Sequence, residues 1–326
     1  MSVYVCGSIA FDYLMHFPGL FREHILPDNL DRLSVSFLAD SMRRAYGGVG
    51  ANIAYSLGLL GEKPFLVGAA GADFGDYRSW LASAGVDTSH VKVVADKFTS
   101  SFFVSTDDAN SQIATFYIGA MAHADEVSLL DVGVRQGDIV VVSPDKPEAM
   151  ILHCEEAKRL GARLVFDPSQ QIPRLSGGQL ATAIHGTYAL AVNEYEYAML
   201  REKTDLGEAS LRAEVEILIV TKGEEGSTVF MGDRCLAVPS MIPARVADPT
   251  GVGDAYRAGF IKGLIAGLSL ETCGRMGSTA ACFVLEQVGT QEHRFTREEF
   301  AARYRGAFCS DSARDSEAAS VAAALA

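Results

Sequence analysis

The stretch DPTGVGDAYRAGF, residues 248–260, sets a carboxylate directly behind two glycines that lie one residue apart. It also opens an apolar run with helical spacing, in which Ala255, Ala258, Gly259, Ile261 and Ile265 are available to face a core. A turn Thr250-Gly251-Val252-Gly253 leading into a helix presents unpaired backbone N–H groups at the positive end of the helix dipole. Glycines there let a phosphate approach the backbone. Asp254 has two uses at such a place: it can stabilise the helix start, or it can take a proton from a hydroxyl attacking a bound phosphoryl group. The spacing alone leaves both open.

A second glycine loop, Gly47-Gly48-Val49-Gly50, also runs into an amphipathic segment, with Asn52 near its start. Helix packing explains it, and so does a ligand lying against the backbone and hydrogen-bonded to Asn52. In VNEYE, Asn193 and Glu196 have the spacing of a helix capping box, which accounts for them without a ligand.

The elements that must position these residues follow from an alternation of short apolar runs with helical patterns. SVYVCGSIA, KPFLVGAAG, DIVVVSP, ARLVFDPS, TYALAVNE and VEILIVTKG read as strands, and PEAMILHCEEAKRLG as a helix between two of them. That rhythm predicts βαβ units and a largely parallel sheet with helices on both faces. Residues 13–46 and 97–119 break it with alternating patterns, the second pair of strands joined by DDAN. They are assigned to a small lid of antiparallel strands, discontinuous in sequence, with residues 1–12, 47–96 and 120–326 forming the large domain. The Ala-rich end SARDSEAASVAAALA reads as a terminal helix or a frayed tail.

With 41 acidic against 28 basic residues, a formal charge of −13, the chain lacks the basic face that nucleic acid or an anionic membrane requires. Six cysteines without a C-x-x-C pair and seven scattered histidines argue for reduced thiols and against a zinc site. No basic region precedes the first apolar stretch and no segment is apolar enough to span a membrane, so a soluble, cytoplasmic protein is expected. A dinucleotide-dependent oxidoreductase would need G-x-G-x-x-G after its first strand, which VCGSIAFDYL lacks.

GGVGAN and DPTGVGDAYRAGF, in this order and about two hundred residues apart, resemble the two signatures of the ribokinase-like (PfkB) family of carbohydrate and nucleoside kinases. The resemblance spans nearly the whole chain. GSIAFDYLMHFPG, LSVSFL, QIATFY, DPSQQ and GTQE are similar to the mycobacterial type of bacterial adenosine kinase and to broader bacterial nucleoside kinases. It implies a Rossmann-like α/β domain with a β-sheet lid, ATP as donor, Mg²⁺, and in many members K⁺, for which Asp248 and Thr250 are candidates. Asp254 would be the base and the amides of Gly251, Val252 and Gly253 the anion hole. Pro249 and Val252 stand where the family commonly has Thr and Ala, and neither change removes those donors.

By the same resemblance Asp12 would bind two sugar hydroxyls, as a carboxylate accepting from a vicinal diol can. Ser8, Ser36, Gly48 and Asn52 would contact the nucleoside, Phe102 and Phe116 would sandwich a purine, and Gln170 and Gln171 would edge the pocket. Strand aromatics usually fill a core, but a thin lid has little core to fill. Gln112, Asn193, Thr221 and Gly223 would join Gly251 and Gly253 on the nucleotide, with Glu196 at the metal and Lys222 undecided. The implied reaction is phosphorylation of a nucleoside 5′-hydroxyl, adenosine to AMP first. Inosine, guanosine and cytidine, or the sugars ribose and fructose, are the alternatives. Exposed lid edges also leave a homodimer open.

Overall fold

Along Val3–Cys6 (β1) every residue is buried, and the side chains alternate between two cores, which is what a strand covered on both faces requires. The computed structural model from which this is read describes residues 1–26, 31–32, 34–309 and 315–326. The other strands are β2 (Ala10–Phe17), β3 (Ser41–Gly47), β4 (Phe65–Gly71), β5 (Val91–Val94), β6 (Ser100–Asp107), β7 (Gln112–Tyr117), β8 (Ile139–Val142), β9 (Arg163–Phe166), β10 (Thr187–Asn193), β11 (Val215–Thr221), β12 (Ser227–Met231) and β13 (Arg234–Val238). The α-helices are α1 (Val49–Leu59), α2 (Gly75–Ser83), α3 (Pro147–Arg159), α4 (Gly177–Ile184), α5 (Glu194–Thr204), α6 (Glu208–Ala213), α7 (Val252–Ile265), α8 (Leu270–Leu285), α9 (Arg297–Phe308) and α10 (Asp315–Leu325).

The large sheet runs β13-β12-β11-β10-β9-β8-β1-β4-β5, parallel from β11 to β5, with β12 and β13 added antiparallel at one edge. Val3 and Val5 belong to the core that also holds Ile53 of α1, Phe260 of α7 and Met276 of α8, while Tyr4 and Cys6 belong to the core that holds Met150 of α3 and Leu180 of α4. All six apolar runs read as strands are strands of this sheet. The short β5 and the antiparallel pair β12–β13 carry no such run: each of the three strands is partly exposed, so none is written as a continuous apolar stretch.

The second sheet has the order β3-β2-β6-β7. It corrects the antiparallel expectation at its centre: β2 pairs with β6 in parallel, Ala10 opposite Ser100 and Asp12 opposite Phe102. The chain reaches β6 only after passing through β4 and β5 of the other sheet, a connection long enough to permit the parallel pairing that a tight hairpin would forbid. β2 also begins at Ala10, within the segment assigned to the large domain, and Asp12 therefore belongs to the second sheet. In LSVSFL, Leu33 lies outside the described residues and 34–38 form no strand.

From Asp315 the tail is helical, with Ala318, Val321 and Leu325 buried and Glu317 paired to Arg275 at 2.9 Å. Residues 312–314 of the Ala-rich end lie outside the described residues. Five cysteines are buried and Cys235 is exposed. Among the described residues no helix is long and apolar enough to cross a membrane.

Candidate active site

The carboxyl ends of β1, β8 and β9 meet the head of α7 around a cavity of about 510 Å³. This is the edge at which parallel α/β sheets leave room for ligands. Ser8, Gly48, Asn52, Gln170, Gln171, Gly251 and Asp254 line it from the large sheet's side, and Asp12, Phe102 and Phe116 from the second sheet. With Thr250, eleven residues singled out in sequence thus line one cavity. Ser36 is exposed and Gln112 lies at the opposite end of β7 from Phe116, bonded to Thr106 at 3.4 Å; neither lines the cavity.

Helix α7 begins at Val252, with Gly251 as its N-cap at φ 78°, a left-handed conformation that favours glycine. Asp254 is therefore the third residue of the helix, and no side chain caps the helix. Its Oδ2 accepts instead from Asn52 Nδ2 at 2.8 Å, across 202 residues of sequence. Burial pushes the Asp254 carboxyl up to about 6, opposed by the Arg257 guanidinium and the Asn52 hydrogen bond. Only 13% of its side chain is exposed. The first amides of α7 are those a helix leaves without internal partners; Val252 N makes only a long 3.4 Å bond to the Pro249 carbonyl.

The other glycine loop has a structural duty as well. Ser8 Oγ accepts from Val49 N at 3.0 Å, so a strand-end serine caps α1, and a Cβ on Gly50 would come within 2.7 Å of Gly7 backbone. Close approach of β1 to α1 thus explains Gly50 without a ligand. Asp12 is pushed up to about 6, by burial first and then by Asp248, while Arg43 pulls the other way.

Phe102 and Phe116 are directly opposed in register on adjacent strands. Cross-strand partners stand side by side on one face of a sheet. They form one wall of the cavity, and a sandwich would need them on facing elements. Ser169 adopts φ 39°, and this turn after β9 carries Gln170 and Gln171 into the cavity. Gln171 Oε1 is buried there without a hydrogen-bond donor among the described residues.

Arg257, one helical turn beyond Asp254, was not singled out in sequence. Its Nε lies 2.7 Å from Asp167 Oδ2, Nη1 lies 3.8 Å from Asp254 Oδ1, and Nη2 lies 4.0 Å from Glu196 Oε2. The Asp167 contact is short but not aligned as a hydrogen bond, and among the described residues both Asp167 oxygens are buried without one, so the attraction is chiefly ionic. Burial pushes Asp167 up to about 7 despite this cation. An arginine three residues after a candidate base is the only local signal; its other partners come from the turn after β9 and from α5. Arg174 and Thr290 also line the cavity and were equally unmarked.

Asn193 and Glu196 do form the capping box, Asn193 Oδ1 accepting from Glu196 N and Glu196 Oε2 from Asn193 N, both at 2.8 Å. Glu196 Oε1 also receives Ser169 Oγ at 3.2 Å. Asn193 pairs in register with Thr221, so Asn193, Thr221 and Gly223 sit at neighbouring strand ends, outside the cavity lining. Asp248 is tied down by the amides of Thr250 and Gly289, at 2.9 and 3.0 Å.

Residues 20–296 match the family described as pfkB family carbohydrate kinase. The chain belongs to the pfkB family. It is a phosphotransferase acting on a hydroxyl group, with the ribokinase-like α/β fold and a smaller sheet as lid. The pfkB chain is 33% identical over 288 residues to a nucleoside kinase of Methanothermobacter thermautotrophicus, covering 87% of this chain and 89% of that protein. It is similar to the structure of Burkholderia thailandensis nucleoside kinase in complex with inosine, at 35% identity and a TM-score of 0.83, covering 94% and 98% of the two chains. The complex of that enzyme with ADP-inosine matches at 36% identity and a TM-score of 0.82, covering 94% and 96%.

Proposed function

We propose that this pfkB kinase transfers the γ-phosphoryl group of ATP to the 5′-hydroxyl of a nucleoside, with purine nucleosides, adenosine and inosine, as its substrates. One observation carries the reading: Asp254, at the head of a glycine-started helix, shares a single cavity with Asp12 and an aromatic pair. Asp254 is the base and removes the hydroxyl proton. The amides of Gly251, Val252 and Gly253 hold the transferring phosphoryl group, whose charge needs fixed donors. Asp12 accepts from the ribose diol, Phe102 and Phe116 give the base a flat apolar wall, and the unpartnered Gln171 Oε1 calls for an N–H donor on the ligand.

The nucleotide is assigned to the strand ends at Asn193, Thr221 and Gly223. Glu196 has both oxygens engaged in hydrogen bonds, which fits a largely hydrated Mg²⁺ held through water. When bound, that ion neutralises charge on the triphosphate. The inosine complexes of the Burkholderia relative support a nucleoside over a bare sugar.

The test is ADP release from Mg·ATP with adenosine, inosine, guanosine, cytidine, ribose and fructose. Turnover with purine nucleosides is expected. Turnover with free sugars alone would overturn the reading.

A further inference from the structure

Asn52 donates to Asp254 through an amide whose two ends are nearly equal in size, and turning it over would set a carbonyl against the carboxylate. Something must hold it. The buried side chain of Gln291, 2% exposed, donates from Nε2 to Asn52 Oδ1 at 2.9 Å. Gln291 is itself an amide and needs a reference of fixed polarity. It has two. Trp80 Nε1, which can only donate, reaches Gln291 Oε1 at 3.1 Å. The Tyr77 hydroxyl spends its proton on the Gly47 carbonyl at 2.8 Å and so accepts from Gln291 Nε2. The chain of donors from α2 through Gln291 and Asn52 therefore ends, by chemistry alone, with an N–H on Asp254 Oδ2. Asp254 Oδ1 keeps no hydrogen bond among the described residues.

We propose that Gln291, referenced to Trp80 and Tyr77, is a positioning residue for phosphoryl transfer: it holds Asn52 in the one orientation that donates to Asp254 Oδ2 and leaves Oδ1 to receive the hydroxyl proton. The inference rests on the reading of Asp254 as the base. Its supports lie on α2 and in the loop after α8, 211 and 239 residues from their partners in sequence. Gln291 is not itself among the residues lining the cavity, so its substitution removes no lining side chain and acts there through Asn52.

The test uses Gln291→Glu, which offers oxygens at both ends, and Gln291→Met, which keeps length without polarity and guards against a charged variant that fails to fold. For each, kcat and the KM for ATP are measured with inosine beside the thermal midpoint. The expected result is a kcat lowered about tenfold or more, with the KM for ATP unmoved. Variants that lose only thermal stability, with kcat unchanged, would show a merely structural role and overturn the proposal. A second readout is independent of substrate: the side-chain amide protons of Asn52, assigned by their loss in Asn52→Ala. They are expected to shift in Asp254→Asn and to exchange rapidly in Gln291→Met. Unchanged Asn52 signals in Gln291→Met would overturn the inference even if the wild-type enzyme phosphorylated no nucleoside, whereas failure of the nucleoside reading would show as an inactive wild type with the signals behaving as expected.

Discussion

Asp254 is placed where a base is useful and an ionised carboxylate is costly. Its ordinary value of 3.8 is raised to about 6 by burial. Between those values the folded protein holds a proton that the unfolded chain has released, so this group makes stability fall as pH rises, with the full cost reached above about 6. Asp254→Asn is therefore expected to lose at least roughly a hundredfold in turnover while gaining up to about 3 kcal/mol of unfolding free energy at pH 8. Urea titrations should show the gain shrinking to nothing below pH 4, and a variant destabilised at pH 8 would contradict the assignment of cost to ionisation. Arg257 works in the opposite sense. It faces Asp167, Asp254 and Glu196, and its removal leaves buried carboxylates without their cation. Arg257→Gln should cost about 3–5 kcal/mol at pH 8. The loss should be smaller at pH 5, where Asp167, raised to about 7, is already protonated.

At the scale of elements, the second sheet brings chemistry to a cavity whose floor belongs to the first. Phe116 is 45% exposed, so trimming it removes little buried area. Phe116→Ala is expected to raise the KM for inosine about tenfold while leaving the thermal midpoint and the KM for ATP near wild type; a fallen midpoint with an unchanged KM for inosine would assign the ring to the lid's own packing. Six of the seven parallel strands were legible because burial on both faces writes each one as a continuous apolar run. So was the hairpin of β6 and β7, whose DDAN turn is local. The parallel pairing of β2 with β6 was not, since it joins segments some ninety residues apart and both strand directions satisfy the same alternation. Site residues followed the same division. Asp254 and Asn52 were visible beside their glycines, but Arg257, Asp167 and Gln291 take their meaning from contacts across elements, for which a sequence has no spacing rule.

For the whole molecule, a charge of −13 sets a field that the donor must enter. ATP is a polyanion and a nucleoside is neutral, so the two substrates should respond differently to salt. Among the described residues lining the cavity Arg174 is the one cation, against Asp12 and Asp254, and the phosphoryl group is received by backbone amides that carry no net charge. Long-range repulsion then opposes the approach of the nucleotide, and it is screened as the Debye length falls from about 30 Å at 0.01 M to about 8 Å at 0.15 M. With Mg²⁺ and K⁺ held constant, kcat/KM for Mg·ATP is expected to rise severalfold over that range of NaCl, while kcat/KM for inosine at saturating ATP stays level. A fall in the ATP value with salt would mean that basic side chains gather the nucleotide, and Lys222, at the end of β11 beside Thr221, would be the first to substitute.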